Sequence, residues 1–156
     1  MTLELMSEHE AMVLLAETEA RLGEIYRAYA GLYAEDAAFY AKLAKDEQVH
    51  ARWVRSLIPR VAQGLITFRE GRFLPEMFTA FRDYMVRRLQ EAQTAPPSRL
   101  DALAIAVDAE STLIERNFYE VFASDDPEAA HTLRILSHSA DAHQRITRER
   151  WQLAQL

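Results

Sequence analysis

The chain contains no cysteine. That absence excludes disulfides, thiolate catalysis, iron–sulfur clusters and cysteine-bound zinc, so any metal chemistry must run on carboxylates and imidazoles. Glycine and proline are scarce, four and five in 156 residues, which leaves room for long uninterrupted helices. No apolar run approaches the length that spans a bilayer. The N-terminal stretch MTLELMSEHE also lacks the basic-then-apolar layout of a signal peptide, so a cytoplasmic location with no membrane partner is expected. Basic residues are outnumbered 18 to 24, for a formal charge of −6. Such a balance argues against nucleic acid as the main partner, because a phosphate backbone selects a net basic face.

What remains is ordinary for a globular protein, with 49% hydrophobic and 27% charged residues, and the length suits one domain over residues 1–156. Ser7 followed by Glu10 reads as a capping box that opens a first helix. Its apolar stripe runs through Met12, Leu15, Leu22, Tyr26, Tyr29 and Tyr33. A turn near Ala34–Asp36 leads to a second helix striped by Tyr40, Leu43, Val54 and Leu57, which Pro59 is expected to end. Residues 60–74 show no sustained period and read as a long connection. Pro75 then suits the first position of a shorter helix, PEMFTAFRDYMVRRLQEAQ. Ser98 with Asp101 starts a helix carrying Leu103, Ala106, Leu113, Ile114 and Val121. Asp126 as N-cap and Pro127 at the first helical position launch the last helix, striped by Leu133, Leu136, Ala140 and Ile146. Strand signals are absent. Short turns join antiparallel neighbours, so an all-α fold of two helix hairpins linked by a crossover helix is expected.

Helical phase, about 100° per residue, places polar groups on these buried stripes. Glu19 shares its stripe with Leu15, Leu22 and Tyr26, while Glu17 faces away. Glu47 and His50 lie with Leu43 and Val54, Glu110 with Ala106, Leu113 and Asn117, and His143 with Leu136, Ala140 and Ile146. Three carboxylates at comparable depth would repel one another unless protonated or bridged by a cation. A divalent metal is the simplest compensation, and the carboxylate-rich donor set favours iron or manganese, with zinc also compatible. Glu-x-x-His is a short pattern that also arises by chance, and a second instance, Glu128-x-x-His131, sits in the first turn of the last helix. There glutamate suits the helix dipole, and His131 lies about 18 Å along the axis from His143. It is read as unrelated to the metal. His9 and His138 read as surface or interhelix residues, and Arg87-Arg88 with Arg148-Glu149-Arg150 as solvated faces. Phe68, Phe73, Phe78, Phe81 and Tyr84 read as packing for the crossover helix, or equally as a face for a homodimer or another partner. Tyr26 reads as core, with its hydroxyl in reach of a carboxylate.

The run Glu19-x6-Tyr26, then LAKDEQVHARW with Glu47 and His50, resembles the first half of a rubrerythrin-type ferritin-like protein. AIAVDAESTLIERNFYEVF, with Glu110, is similar to that family's third helix. The resemblance spans essentially the whole chain and implies a ferritin-like four-helix bundle with a crossover helix. It also implies a non-haem iron site of one or two ions, and oxidoreductase chemistry with O2, peroxide or ferrous iron. Carried over, Glu19, Glu47 and His50 match one half-site and Glu110 and His143 the other. Ala140 stands where the family has a second bridging glutamate, and Asp141 points about 200° away from His143. Asn117 replaces a frequent aromatic. With no cysteine-rich electron-transfer domain, redox activity would need a separate electron donor. The loss at Ala140 keeps a second expectation open, a bundle that binds one metal or serves a structural role without catalysis.

Overall fold

The computed structural model describes residues 6–69, 75–115 and 118–156, with backbone alone at 114 and 115. Phe73 and Asn117 lie outside the described residues, as does the side chain of Ile114. Among the described residues the chain is all-helical apart from one very short ribbon. Five α-helices are described: α1 (Glu8–Leu32), α2 (Ala37–Ala62), α3 (Pro75–Thr94), α4 (Arg99–Glu115) and α5 (Pro127–Ala154). The capping signals act as the sequence suggests. Ser7 Oγ accepts from Glu10 N–H, Ser98 Oγ from Asp101 N–H, and the Asp126 carboxylate from Ala129 N–H.

Three expectations are corrected. Pro59 does not end α2, which runs on to Ala62. A proline in the last turn forfeits one backbone bond but its fixed φ is helical, so the turn persists. The stop is Gly64, whose φ of 77° is the left-handed conformation that closes a helix C-terminus. Nor does the fourth helix reach Val121: α4 is described as far as Glu115, and Phe118–Val121 form a turn. Finally, two strands exist, β1 (Thr67–Phe68) and β2 (Phe122–Ala123), paired antiparallel with Thr67 opposite Ala123. Two residues cannot show a period-2 pattern; this pairing is imposed where the crossover passes the segment after α4.

α1 packs most extensively on α2; α4 packs on α5 and α3 on α1, while α2 meets α5 over a smaller contact. Of the crossover aromatics, Phe78 and Phe81 are core and meet Phe118 edge-on at 4.7 and 5.3 Å between ring centroids, and the partly buried Phe68 stacks on Phe122 at 5.7 Å. Such contacts add to the area that the rings bury. At the opposite end of the bundle, Asp36 in the α1–α2 turn is fully buried. It accepts from Arg99 Nε at 2.7 Å, at the start of α4, and from Arg150 Nε at 2.9 Å, near the end of α5. Arg150 is therefore no free solvated cation; it also donates to Glu35 O and lies over Phe39. Burial pushes the Asp36 carboxyl up, but the two guanidiniums override it and hold it below its ordinary value. Asp36→Asn is expected to cost about 3 kcal/mol, the low end of the range for breaking a buried pair, because both arginines stay partly exposed and can be rehydrated. With a depressed folded pKa, the contribution is present above the unfolded value near about 4 and is lost as pH falls through the folded one. Thermal melts of wild type and variant should therefore converge in acid; a gap that does not close there would show that the charge plays no part.

Candidate metal centre

Four helices bring Glu19 (α1), Glu47 and His50 (α2), Glu110 (α4) and His143 (α5) into one buried cluster, each at most 4% exposed. All five residues singled out by helical phase therefore meet. Glu17 and Asp141, assigned to the outer faces, are exposed. Gly23, one turn beyond Glu19, allows the close crossing of α1 over α2. A Cβ there would stand 3.3 Å from Glu47 Cβ and 3.4 Å from Ala44 O, so the neighbouring helix would have to give way.

Glu47 is the centre of the cluster and belongs to neither half alone. Its Oε1 faces His143 Nδ1 at 2.8 Å and its Oε2 faces His50 Nδ1 at 3.3 Å. The flanking carboxylates extend each side: Glu110 Oε1 lies 3.5 Å from His143 Nδ1, and Glu19 Oε2 lies 3.8 Å from His50 Nδ1. The imidazole rings are 5.1 Å apart between centroids. Both turn Nδ1 inward and Nε2 outward. His143 Nε2 meets Asp46 Oδ2 at 3.1 Å, and His50 Nε2 meets Ser139 Oγ at 2.5 Å. Outer partners of this kind fix which nitrogen is free to bind. Tyr26 donates to Glu110 Oε1 at 2.7 Å, and Tyr119 donates to Glu19 Oε1.

Tyr119, Asp46 and Ser139 were not foreseen. Tyr119 is assigned by sequence to a continuing helix, whereas it lies in the turn of Phe118–Val121, from which its hydroxyl donates to Glu19. Asp46 had a signal, since it lies one residue before Glu47 and four before His50; Ser139 had none, because its role depends on where α5 crosses α2. The other Glu-x-x-His plays no part. Glu128 pairs with Arg60, and His131 is exposed. His9 and His138 are also exposed.

The charges are interlocked. Burial, then Glu47, pushes the Glu19 carboxyl well above its ordinary value. Burial and Glu110 push Glu47 up, but its contacts with Glu19, His143 and His50 win and lower it. Burial disfavours charge on both imidazoles, yet Glu19 and Glu47 raise His50 to about 10, while Glu110 and Glu47 raise His143 to about 11. Metal-free, the facing carboxylates thus favour protonated imidazoles at His50 and His143.

The donor set fits a cation. One oxygen each of Glu19 and Glu110 is tied by a tyrosine, while the other, Oε2, is buried without a hydrogen bond. Buried carboxylate oxygens left without a hydrogen bond are costly unless another positive partner serves them. Donor atoms of Glu47, His50 and His143 also lie within 4.8 Å of one another. No protein-family model matches the chain, and neither the curated proteins nor the solved structures compared with it give a match. Among the described residues, no helix is long and apolar enough to cross a membrane.

Proposed function

We propose that this chain is a non-haem metal carboxylate protein with a ferritin-like bundle, and that its metal is iron. The observation that carries this reading is Glu47, buried between two inward-facing Nδ1 atoms and flanked by Glu19 and Glu110, each with an oxygen that lacks a hydrogen bond. Two imidazoles and a carboxylate converging with further carboxylates suit ferrous iron better than the soft or all-oxygen sets suited to other metals. Glu47, His50 and His143 would hold the first ion, and Glu19 and Glu110 would complete a second, weaker position. Bound iron supplies one-electron chemistry toward O2 or peroxide; the chain's own contribution is to position the donors, keep the cluster dry and take up or release protons at Glu19, His50 and His143. Ala140 favours a second reading, a one-metal bundle with little or no turnover, because no carboxylate on α5 pairs with Glu47.

The deciding experiment is elemental analysis of freshly purified protein, followed by anaerobic ferrous titration monitored by equilibrium dialysis. One tightly held ion per chain, with weaker uptake of another, is the expected result. A protein that binds no iron, manganese or zinc at micromolar levels would sink the proposal. Fast oxidation of two tightly bound irons would instead show that another residue substitutes for the missing carboxylate.

A further inference from the structure

α3 packs on α1, and among the described residues it makes no comparable contact with α4. Met77, Ala80, Phe81 and Tyr84, spaced three and four apart, form one stripe of α3. With Glu76 at the start of α3 and Asp108 on α4, that stripe lines a cavity of about 360 Å³ between the two helices. Phe81 is buried, Met77 and Tyr84 are half-buried, and Glu76, Ala80 and Asp108 are exposed. The cavity thus has an apolar floor and an acidic rim.

The charge of that rim is uncompensated. Among the described residues Glu76 and Asp108 form no ion pair; Arg82 and Arg88, on either side of Tyr84, are engaged by Asp83 and Glu91. Burial, then the Asp108 carboxylate, pushes the Tyr84 phenol up to about 12. Asp108 therefore lies beside that ring, yet it closes no hydrogen bond with the hydroxyl. Ionised carboxylates only accept, so the rim selects a hydrogen-bond donor that carries positive charge. Aromatic faces favour the same sign, and Arg88 already lies 5.0 Å from the Tyr84 ring centroid. A largely apolar lining with a few placed polar groups is the make-up of a small-molecule site.

We propose that the groove between α3 and α4 binds a small arylalkyl ammonium ion, its ring against Met77 and Phe81 and its ammonium between Glu76 and Asp108. The site is separate from the carboxylate cluster and holds whether or not that cluster carries a metal. A bare divalent cation suits it less, because the apolar floor supplies none of the oxygen donors that such an ion needs. An anion of the same size would meet two negative charges.

The test is a titration of the full chain with phenethylammonium, followed by backbone amide NMR shifts, beside hydrocinnamate, an anion with the same ring and arm. Saturable shifts centred on residues 76–84 and 108–112 are expected, with a dissociation constant of about 1 mM for so small a ligand. Hydrocinnamate should not saturate. E76Q combined with D108N should weaken binding about tenfold, since each exposed charge contributes modestly on its own. A80F should fill the groove from an exposed position and abolish the shifts, with its melting curve checked beside wild type. If A80F does not fold, the paired amide variant, which alters only exposed side chains, carries the test. The inference is overturned if the anion binds as well as the cation, if the paired amide variant binds like wild type, or if the shifts centre elsewhere. Absence of saturation up to about 20 mM overturns it as well.

Discussion

Glu47→Gln should abolish tight metal uptake, while the double change Glu128→Gln with His131→Gln should leave it untouched. The two Glu-x-x-His pairs share one spacing, so this comparison isolates what the fold does with them. Glu47 is wholly buried and, among the described residues, is the only carboxylate that touches both inward-facing imidazoles. An amide of the same shape keeps the packing against Gly23 but offers one neutral oxygen in place of a shared anion. Altering residues that merely orient metal ligands costs about 10- to 100-fold in affinity, so loss of the shared ligand should exceed about 100-fold. Glu128, by contrast, makes an ion pair with Arg60 while its own side chain is largely exposed, an interaction worth at most about 1 kcal/mol. Equilibrium dialysis with ferrous or cobalt ions, alongside circular dichroism to verify folding, measures both. Equal losses from the two variants would mean that metal binding is not centred where α2 meets α5.

Much of this arrangement is legible before any coordinates. The helical phases of Glu19, Glu47, His50, Glu110 and His143 are set by the apolar residues three, four and seven positions away, and burial of those neighbours carries the polar groups inward. The same regularity identifies Glu17 and Asp141 as outward-facing. What the pattern misses is whatever depends on how helices cross or where they stop. Pro59 looks like a terminator but lies in a turn that tolerates it, and the left-handed Gly64 ends α2 instead. Helical periodicity continues on paper through Tyr119, yet Phe118–Val121 form a turn, and from it that phenol donates to Glu19. The family resemblance implies a half-site of Glu19, Glu47 and His50; the approach of α5 brings the other Glu47 oxygen to His143. Arg150 reads as one of several surface cations until the fold brings it against Asp36.

The metal-binding equilibrium should steepen with pH while the metal-free fold weakens, and both effects come from the same protons. In the metal-free protein His50 and His143 stay protonated up to about 10 and 11, because buried carboxylates face their Nδ1 atoms. A bound metal needs those nitrogens bare, so each imidazole that becomes a ligand releases a proton. Between about pH 6 and about pH 9 the first ion's association constant should therefore rise about tenfold per pH unit for each proton displaced, or about a hundredfold when both imidazoles take part. The sign for folding is opposite. A histidine whose folded pKa is raised contributes stability that is fully present below its unfolded value, near about 6.5, and is lost as pH rises through the folded one. Glu19 acts in the same direction, since a carboxyl raised by burial and by Glu47 stabilises the fold less once pH exceeds its ordinary value. Glu47 is lowered and opposes them only in acid, where its contribution fades as pH falls. Melting temperatures of metal-free and metal-loaded protein should consequently diverge as pH increases, the loaded form gaining relative to the free one. Dye-monitored titration in weak buffer gives the count directly, with about two protons expected for the first ion. A pH-independent gap, or uptake without proton release, would mean that the two imidazoles are not the ligands.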